Sequence, residues 1–165
     1  INYNSNMAIL IKLWKWFYYI SKNGVYDNTR IILVSYHGIE SKQLDELILN
    51  DGLCVSWFYP LLMVKDFNSE GFTTSEEFMT NGDVPALAVA NLIDNPVNPF
   101  TGKTIDSSEK LAHDQYVIAS REWDVNINNG NTFLPANWYS VHDNIWEKDN
   151  WRLIAEDAVL AEIDE

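Results

Sequence analysis

Apolar residues recur every three or four positions over residues 6–23, which predicts the first helix of the chain. Asn6 is placed to cap its start, and Asn23-Gly24 is placed to end it in a left-handed turn. Lysines take the outer face, at positions 12, 15 and 22. The apolar side of this helix is predicted to consist of Ile9, Leu13, Trp16, Phe17 and Ile20.

A short apolar run, Ile31–Val34, follows the first helix and predicts a strand. Its branched residues show no alternation, which is typical of a strand buried on both faces in a parallel sheet covered by helices. The run ends in the polar residues Ser35, Tyr36 and His37, and then Gly38. Ligands and catalytic groups gather just beyond the carboxyl ends of such strands, so this tip is the first place to expect chemistry.

The next stretch contains weaker signals. Residues 40–50 are polar and acidic with spaced leucines, which fits a short helix or an ordered loop. Residues 57–64 predict a second strand, with a proline near its start. A second helix is predicted over residues 83–93, with Asp83 as its cap and Pro85 in its first turn.

Residues 116–120 predict a third strand. The region that follows, 123–151, is rich in Asn and Trp and has many turn formers. The acidic tail, 155–165, fits either a terminal helix or an extended edge. Strands separated by helices predict an α/β fold, a helix-flanked sheet within a single domain over residues 1–165.

Charge narrows the classes of partner. The chain has a net charge of −13, from 24 acidic and 11 basic residues, which argues against nucleic acid or an anionic membrane surface as a partner. Its single cysteine, Cys54, excludes an internal disulfide framework and a zinc cluster built on cysteines. The apolar run 7–20 is too short and too charged for a bilayer span. Because the chain begins at Ile1 rather than Met, we expect a soluble piece of a larger protein.

His37 is the best candidate for a metal ligand or a general base, because it stands at a strand end beside Gly38. The alternative is a structural histidine whose hydrogen bonds are satisfied. The other two histidines have weaker cases. His113 lies in a charged run typical of a solvated loop or helix end, and His142, next to Asp143, fits a supporting or a surface role.

Two features of the Asn- and Trp-rich region allow more than one interpretation. Residues 124–130 imitate the start of a calcium-binding loop, but the glycine comes one residue late and Pro135 replaces the required Glu, so we interpret them as turns. Aromatic rings among asparagines also suit a carbohydrate- or polymer-binding module, because rings stack on sugars and amides form hydrogen bonds with them. The competing interpretation is a loop-rich cap whose tryptophans pack on the sheet. The rings concerned are Trp123, Trp138, Tyr139, Trp146 and Trp151.

Three segments resemble sulfatases and related metal-dependent enzymes of the alkaline phosphatase superfamily. The first is Asp27-Asn28-Thr29-Arg30 with the following strand and Ser35-Tyr36-His37-Gly38; the family has Ser-Asp-His-Gly at this tip. Residues 59–67 resemble the next strand, and residues 78–88 resemble the family's Asp-containing entry into a helix. The likeness is greatest to bacterial membrane-anchored proteins that include phosphoglycerol transferases.

The resemblance implies that the chain is the C-terminal part of a metal-dependent hydrolase or transferase acting on sulfate or phosphate esters, small or polymeric. His37 takes the position of a metal-binding histidine, and Tyr36 replaces a metal-binding aspartate, which weakens binding of the divalent metal. The nucleophile and further ligands would lie in the N-terminal remainder of the same domain, so the chain alone is expected to be inactive. The parent would be anchored in the cell membrane with its catalytic domain outside.

Overall fold

The structure is a computed structural model, and it describes residues 3–120 and 135–159. Over these residues the chain combines helices with two small antiparallel sheets. The helices are α1 (Tyr3–Lys22), α2 (Val84–Val89) and α3 (Ser107–Leu111). The strands are β1 (Ile31–Val34), β2 (Leu62–Lys65), β3 (Gln115–Ala119), β4 (Ala136–Val141) and β5 (Trp151–Ala158).

α1 corresponds to the predicted first helix but begins before Asn6, which lies inside it, so the prediction that Asn6 caps the helix is wrong. Its C-terminal end is as predicted. Gly24 has a φ of +69°, and its amide donates to the carbonyl oxygen of Ser21 at 3.0 Å. The amide of Val25 donates to the carbonyl oxygen of Ile20 at 3.1 Å, which completes a Schellman motif.

α1 packs against other described elements only toward its C-terminal end. Every residue from 3 to 12 is exposed, and the helix residues that are buried or half-buried are Leu13, Phe17 and Ile20. Ile9 and Trp16 were predicted to face inward, but they are 56% and 46% exposed, so that part of the prediction is wrong. Among the described residues, no helix combines the length and apolar character needed to cross a membrane.

β1 lies where the sequence predicts a strand, but its pairing corrects the expected parallel sheet. It pairs antiparallel with β2, with Ile31 opposite Lys65 and Val34 opposite Leu62. Ile31 is buried, whereas Val34 is 45% exposed, so β1 is not covered on both faces within the described residues. An apolar run without alternation indicates only that a strand can be covered, because strand direction depends on how the chain returns to it.

The segment between the two strands is irregular. The second strand was predicted over residues 57–64, but Val55–Phe58 forms a 3₁₀ turn and β2 begins after Pro60. The stretch 40–50 was predicted to be a short helix or an ordered loop. It contains a single 3₁₀ turn, Asp45–Leu47, which is intermediate between the two.

The predicted helix over 83–93 is divided. Asn81–Asp83 forms a 3₁₀ turn, and α2 follows with Pro85 in its first turn, as predicted. The Asp83 carboxylate does not cap α2, so that prediction is wrong; it accepts the amide hydrogen of Thr80 at 2.8 Å instead. α2 ends early because Ala90 leaves the helical conformation and Asn91 takes a φ of +62°.

The second sheet has the order β3-β4-β5, with both pairs antiparallel. β3 confirms the predicted strand near residues 116–120. The sequence allows a terminal helix or an extended edge for the tail, 155–165. The structure shows a strand as far as Ala158, and residues 160–165 lie outside the described part. The core forms where this sheet packs on the irregular segment, and its buried members are Val55, Tyr139, Val141 and Trp151.

Candidate functional site

The turn after β1, residues 35–38, is tied to the residues before β2. The Ser35 amide donates to the carbonyl oxygen of Leu61 at 2.9 Å, and the Leu61 amide donates to Ser35 Oγ at 2.7 Å. The same hydroxyl donates to the carbonyl oxygen of His37 at 3.1 Å. Ser35 therefore extends the pairing of the strands by one step and also closes the turn that carries His37.

Gly38 ends this turn in a place where only a glycine fits. Its amide donates to the carbonyl oxygen of Trp57 at 2.8 Å. A Cβ at Gly38 would lie 1.8 Å from the carbonyl oxygen of Ser56 and 2.9 Å from that of Tyr59, and both are backbone atoms that cannot swing aside. The close approach of the two backbones depends on the missing side chain.

We expect Gly38→Ala to lower the free energy of unfolding by about 3 kcal/mol, at the upper end of overpacking costs, because the backbone itself must move. Gly71→Ala is the matched control. Gly71 has a φ of +74° and open space around its Cβ position, so that substitution carries only the left-handed backbone cost of about 1 kcal/mol. Urea unfolding of both variants measures the difference. A loss at Gly38 no larger than at Gly71 would contradict the close approach.

Asn81 holds the turn from the opposite side. Its Nδ2 donates to the carbonyl oxygens of Ser35 at 3.2 Å and Tyr36 at 3.1 Å. Asn81 is not among the site residues predicted from the sequence. The signal that was present is the spacing of Thr80 and Asp83, which matches a capping box and predicts an ordered turn between them.

Asp83 in turn fixes the 3₁₀ turn that carries Asn81. Its side chain is 2% exposed, and its Oδ2 accepts a hydrogen bond from Lys110 Nζ at 2.7 Å. Oδ2 also accepts from the Thr80 amide at 2.8 Å, and Oδ1 accepts from Asn98 Nδ2 at 2.9 Å. The carboxylate therefore joins the turn to α3 and to the loop that contains Asn98.

These contacts decide the ionisation of Asp83. Burial by itself raises the pKa of the carboxyl group, since it disfavours the charged form. The hydrogen bonds from Lys110, Thr80 and Asn98, together with the positive charge of Lys110, outweigh burial and hold the pKa of Asp83 below its ordinary value. The carboxylate is thus charged at neutral pH and paired.

Arg30 anchors the start of β1. Its Nε and Nη2 donate to Asp66 Oδ1 at 3.0 and 2.9 Å, and its Nη1 donates to the carbonyl oxygens of Leu87 and Ala88 at 3.0 and 2.9 Å. The guanidinium also lies 4.7 Å from the ring centre of Phe67. The Phe67 amide and then Arg30 lower the pKa of Asp66. One cation thus joins β1 to β2 and binds the C-terminal carbonyls of α2.

His37 is exposed at the tip of the turn, and one of its ring nitrogens is engaged. Nδ1 lies 2.5 Å from the carbonyl oxygen of Gly38, and the ring centre lies 4.9 Å from that of Trp57. Because a carbonyl oxygen only accepts, this contact places a hydrogen on Nδ1, so in the neutral ring the lone pair is on Nε2. Metal-bound histidines commonly donate their second nitrogen to a carbonyl in this way.

Tyr36, the neighbour of His37, offers a metal ion a phenol oxygen in place of a ring nitrogen. Its side chain is 91% exposed, and its ring meets that of His37 edge-on at 5.6 Å. Within residues 3–120 and 135–159, no group of three or more His, Cys, Asp or Glu side chains is placed to hold a metal ion. His37 fits the role of one ligand, and the other ligands of such a site would have to come from outside the described residues.

The remaining histidines lie in other surroundings. His113 is exposed after α3. His142 follows β4, with Nδ1 2.9 Å from Asp114 Oδ1 and Nε2 3.6 Å from Asp143 Oδ2. Carboxylates on both sides of an exposed ring fit the surface role that the sequence left open for His142. The segment that imitates a calcium loop, 124–130, lies outside the described residues.

The aromatic residues of the Asn- and Trp-rich region do not form one exposed row. Trp138, Tyr139 and Trp151 are 7%, 1% and 8% exposed, so they pack inside as the cap interpretation predicts. Trp146 is 60% exposed and lies 4.1 Å from the ring centre of Tyr59. Trp123 lies outside the described residues.

Tyr59 connects this region to the turn near Gly38. Its hydroxyl donates to the carbonyl oxygen of Ile145 at 2.5 Å. Burial, with smaller contributions from Cys54 and Glu147, raises the pKa of Tyr59 to about 12. The hydroxyl therefore stays protonated and keeps its role as a donor.

Comparison of the chain with protein-family models, with curated proteins and with solved structures finds no match in any of the three. The residues of the turn and the contacts that hold them are therefore the features that bear on function.

Proposed function

We propose that this chain forms the C-terminal part of a metal-dependent, sulfatase-like hydrolase or phosphoglycerol transferase that acts on sulfate or phosphate esters. His37 supplies one metal ligand through Nε2, and the nucleophile and remaining ligands come from the N-terminal remainder of the same domain. The parent protein is anchored in a bacterial membrane with this domain outside the cell. A bound divalent cation would polarise the ester and stabilise charge in the transition state.

The observation that carries the proposal is the geometry of His37. The ring stands beyond the end of a strand, Nδ1 contacts the carbonyl oxygen of Gly38, and Nε2 is left as the acceptor. Hydrogen bonds from Ser35 and Asn81 hold the backbone on either side of it. A ligand that must meet a metal ion at a set distance needs such support, whereas a surface histidine does not.

The uncovered faces of the first sheet agree with a missing part of the same domain. Val34, Met63 and Val64 are 45%, 44% and 42% exposed, and Leu61 beside them is 54% exposed. Val34 and Val64 lie on one face of the sheet and Met63 on the other, so both faces carry exposed apolar side chains. This is usual for a sheet that another part of a protein core covers, and we assign that role to the N-terminal remainder.

We expect His37→Ala in the full-length protein to weaken binding of Mn²⁺ or Zn²⁺ by well over about tenfold, because even residues that only support a ligand contribute 10–100-fold. Isothermal titration calorimetry with each metal measures the change. His113→Ala is the control, since His113 is exposed and lies in a separate segment. Metal binding that is unaffected by His37→Ala would refute the assignment of this ligand.

A further inference from the structure

Six apolar side chains form one exposed row along α1, here called the α1 stripe. They recur every three or four residues, so they share one side of the helix. Each is at least 37% exposed, and they are Tyr3, Met7, Leu10, Ile11, Trp14 and Tyr18. This side differs from the one that packs on the protein, whose members are Leu13, Phe17 and Ile20.

The aromatic members of the stripe are ordered against one another. The rings of Trp14 and Tyr18 stack with their centres 5.8 Å apart and their planes at 24°. Lys22 Nζ lies 5.3 Å from the ring centre of Tyr18. The stripe is thus a continuous apolar surface with a cation at its edge, a composition suited to contact with an anionic, partly apolar partner.

The charges of α1 are separated from those of the rest of the chain. The helix carries Lys12, Lys15 and Lys22 and no acidic residue, whereas the whole chain has a net charge of −13. Within residues 3–120 and 135–159, none of these three lysines forms a salt bridge. No described carboxylate therefore neutralises the positive charge of these three side chains.

The chemistry of the stripe distinguishes it from the uncovered sheet. The exposed side chains of β1 and β2 are Val34, Met63 and Val64, which have no polar tip. The α1 stripe instead contains Tyr3, Trp14 and Tyr18, whose rings have an apolar body and a polar tip. Such side chains are enriched at the boundary between lipid headgroups and acyl chains, and lysines beside them meet the phosphates.

At 3.6 residues per turn, Lys15 and Lys22 flank the α1 stripe, whereas Lys12 lies on the opposite side of the helix. We propose that α1 lies in the plane of an anionic lipid bilayer, with the α1 stripe at the headgroup boundary and Lys15 and Lys22 against lipid phosphates. This is the binding mode of an interfacial amphipathic helix. Lipid binding by α1 does not depend on metal binding by His37. Vesicles test the first and metal ions test the second.

The position of α1 lets it reach a surface that repels the rest of the protein. A helix of 20 residues is about 30 Å long. Its residues 3–12 are exposed on all sides, so this half stands away from the other described elements. Because charges are screened over about 10 Å at 0.1 M salt, the local lysines govern the contact more than the distant acidic residues do. The net charge of −13, which argued against an anionic surface as a partner, is therefore not decisive for this helix.

Vesicle flotation tests the proposal with the full chain and two lipid compositions, phosphatidylcholine alone and an equal mixture with phosphatidylglycerol. We expect binding to the anionic vesicles. Replacing Lys15 and Lys22 with glutamine should weaken it about 25-fold, since each lysine near an anionic surface contributes about fivefold. The Trp14→Ala/Tyr18→Ala variant should also lose binding. Phe72→Ala/Phe100→Ala is the matched control, because both phenylalanines are 81% exposed outside α1 and should have no effect.

Three outcomes would overturn the proposal. The first is an absence of binding to anionic vesicles, and the second is binding that the stripe and lysine variants leave unchanged. The third is self-association that depends on the stripe, seen by light scattering without lipid, which would assign α1 to a second copy of the chain. Circular dichroism of the variants shows whether the helix is retained, so that loss of binding is attributed to the surface.

Discussion

We expect Tyr36→Asp to strengthen binding of Mn²⁺ to the full-length protein by about tenfold or more, in the range that changes near a metal site commonly produce. A phenol has a pKa near 10 and is neutral at pH 7, whereas a carboxylate supplies a charged, hard oxygen. The side chain is 91% exposed, so the smaller residue leaves no cavity behind. The backbone is already held by Asn81 and needs no rearrangement.

Calorimetry at pH 7 separates charge from shape in this experiment. Tyr36→Asn has nearly the shape of Tyr36→Asp without its charge, and Tyr36→Phe removes only the hydroxyl group. We expect little gain from either. Adding His37→Ala to Tyr36→Asp should remove most of the gain, because the two side chains would share one ion. If Tyr36→Asp binds the metal no better than the natural protein, position 36 is not a ligand position.

The second large effect is on stability. We expect Asp83→Ala to lower the free energy of unfolding by about 3 kcal/mol, the lower end of the cost of breaking a buried ion pair. The substitution leaves Lys110, which is 19% exposed, without its carboxylate. It also removes the acceptor of the Thr80 amide and of Asn98 Nδ2. Urea unfolding at pH 7 measures the change.

The same carboxylate makes the stability depend on pH in a defined direction. The pKa of Asp83 is lower in the folded protein than in the unfolded chain. Its contribution is therefore fully present above the unfolded pKa, near 4, and is lost as the pH falls through the folded pKa. The difference in stability between the natural protein and Asp83→Asn should be constant at neutral pH and shrink in acid. Asp66 and Asp106 shift the same way, so this difference, rather than the total stability, isolates Asp83.

Glu109→Ala provides the control for the stability prediction. Glu109 pairs with Lys103 at the surface, where the two side chains are 44% and 64% exposed, and such pairs contribute less than about 1 kcal/mol. A loss at Asp83 no larger than at Glu109 would show that the buried pair does not hold the turn. A large loss that also weakens metal binding would connect this turn to His37 through Asn81.

Several elements could be predicted because their signals lie within a few residues of one another. The end of α1 at Asn23-Gly24 follows from the left-handed conformation that glycine adopts without strain. Pro85 in the first turn of α2 follows from the fixed φ of proline. The polar tip after β1 could also be located, since it needs only the change from apolar to polar residues.

The two cap predictions are wrong for different reasons. Asn6 lies inside α1, which begins before it. The Asp83 carboxylate is engaged by Thr80 and Lys110 instead of capping α2.

The contacts that hold the candidate site join distant parts of the chain, and no local pattern specifies them. Asn81 reaches across 45 and 46 residues to the carbonyl oxygens of Tyr36 and Ser35, and Arg30 reaches across 57 and 58 residues to α2. A side chain can form such a contact in many arrangements of a chain, and packing selects one of them.

The sequence by itself determined the approximate positions of α1, β1 and β3 and the place of Tyr36 and His37 beyond the end of β1. Only the tertiary structure decided that β1 pairs antiparallel with β2, that Trp138 and Trp151 are buried, and that the apolar stripe of α1 is exposed. The physical reason is the range of the forces concerned. Conformational preference acts between neighbouring residues, whereas burial depends on which distant surfaces exclude water from one another.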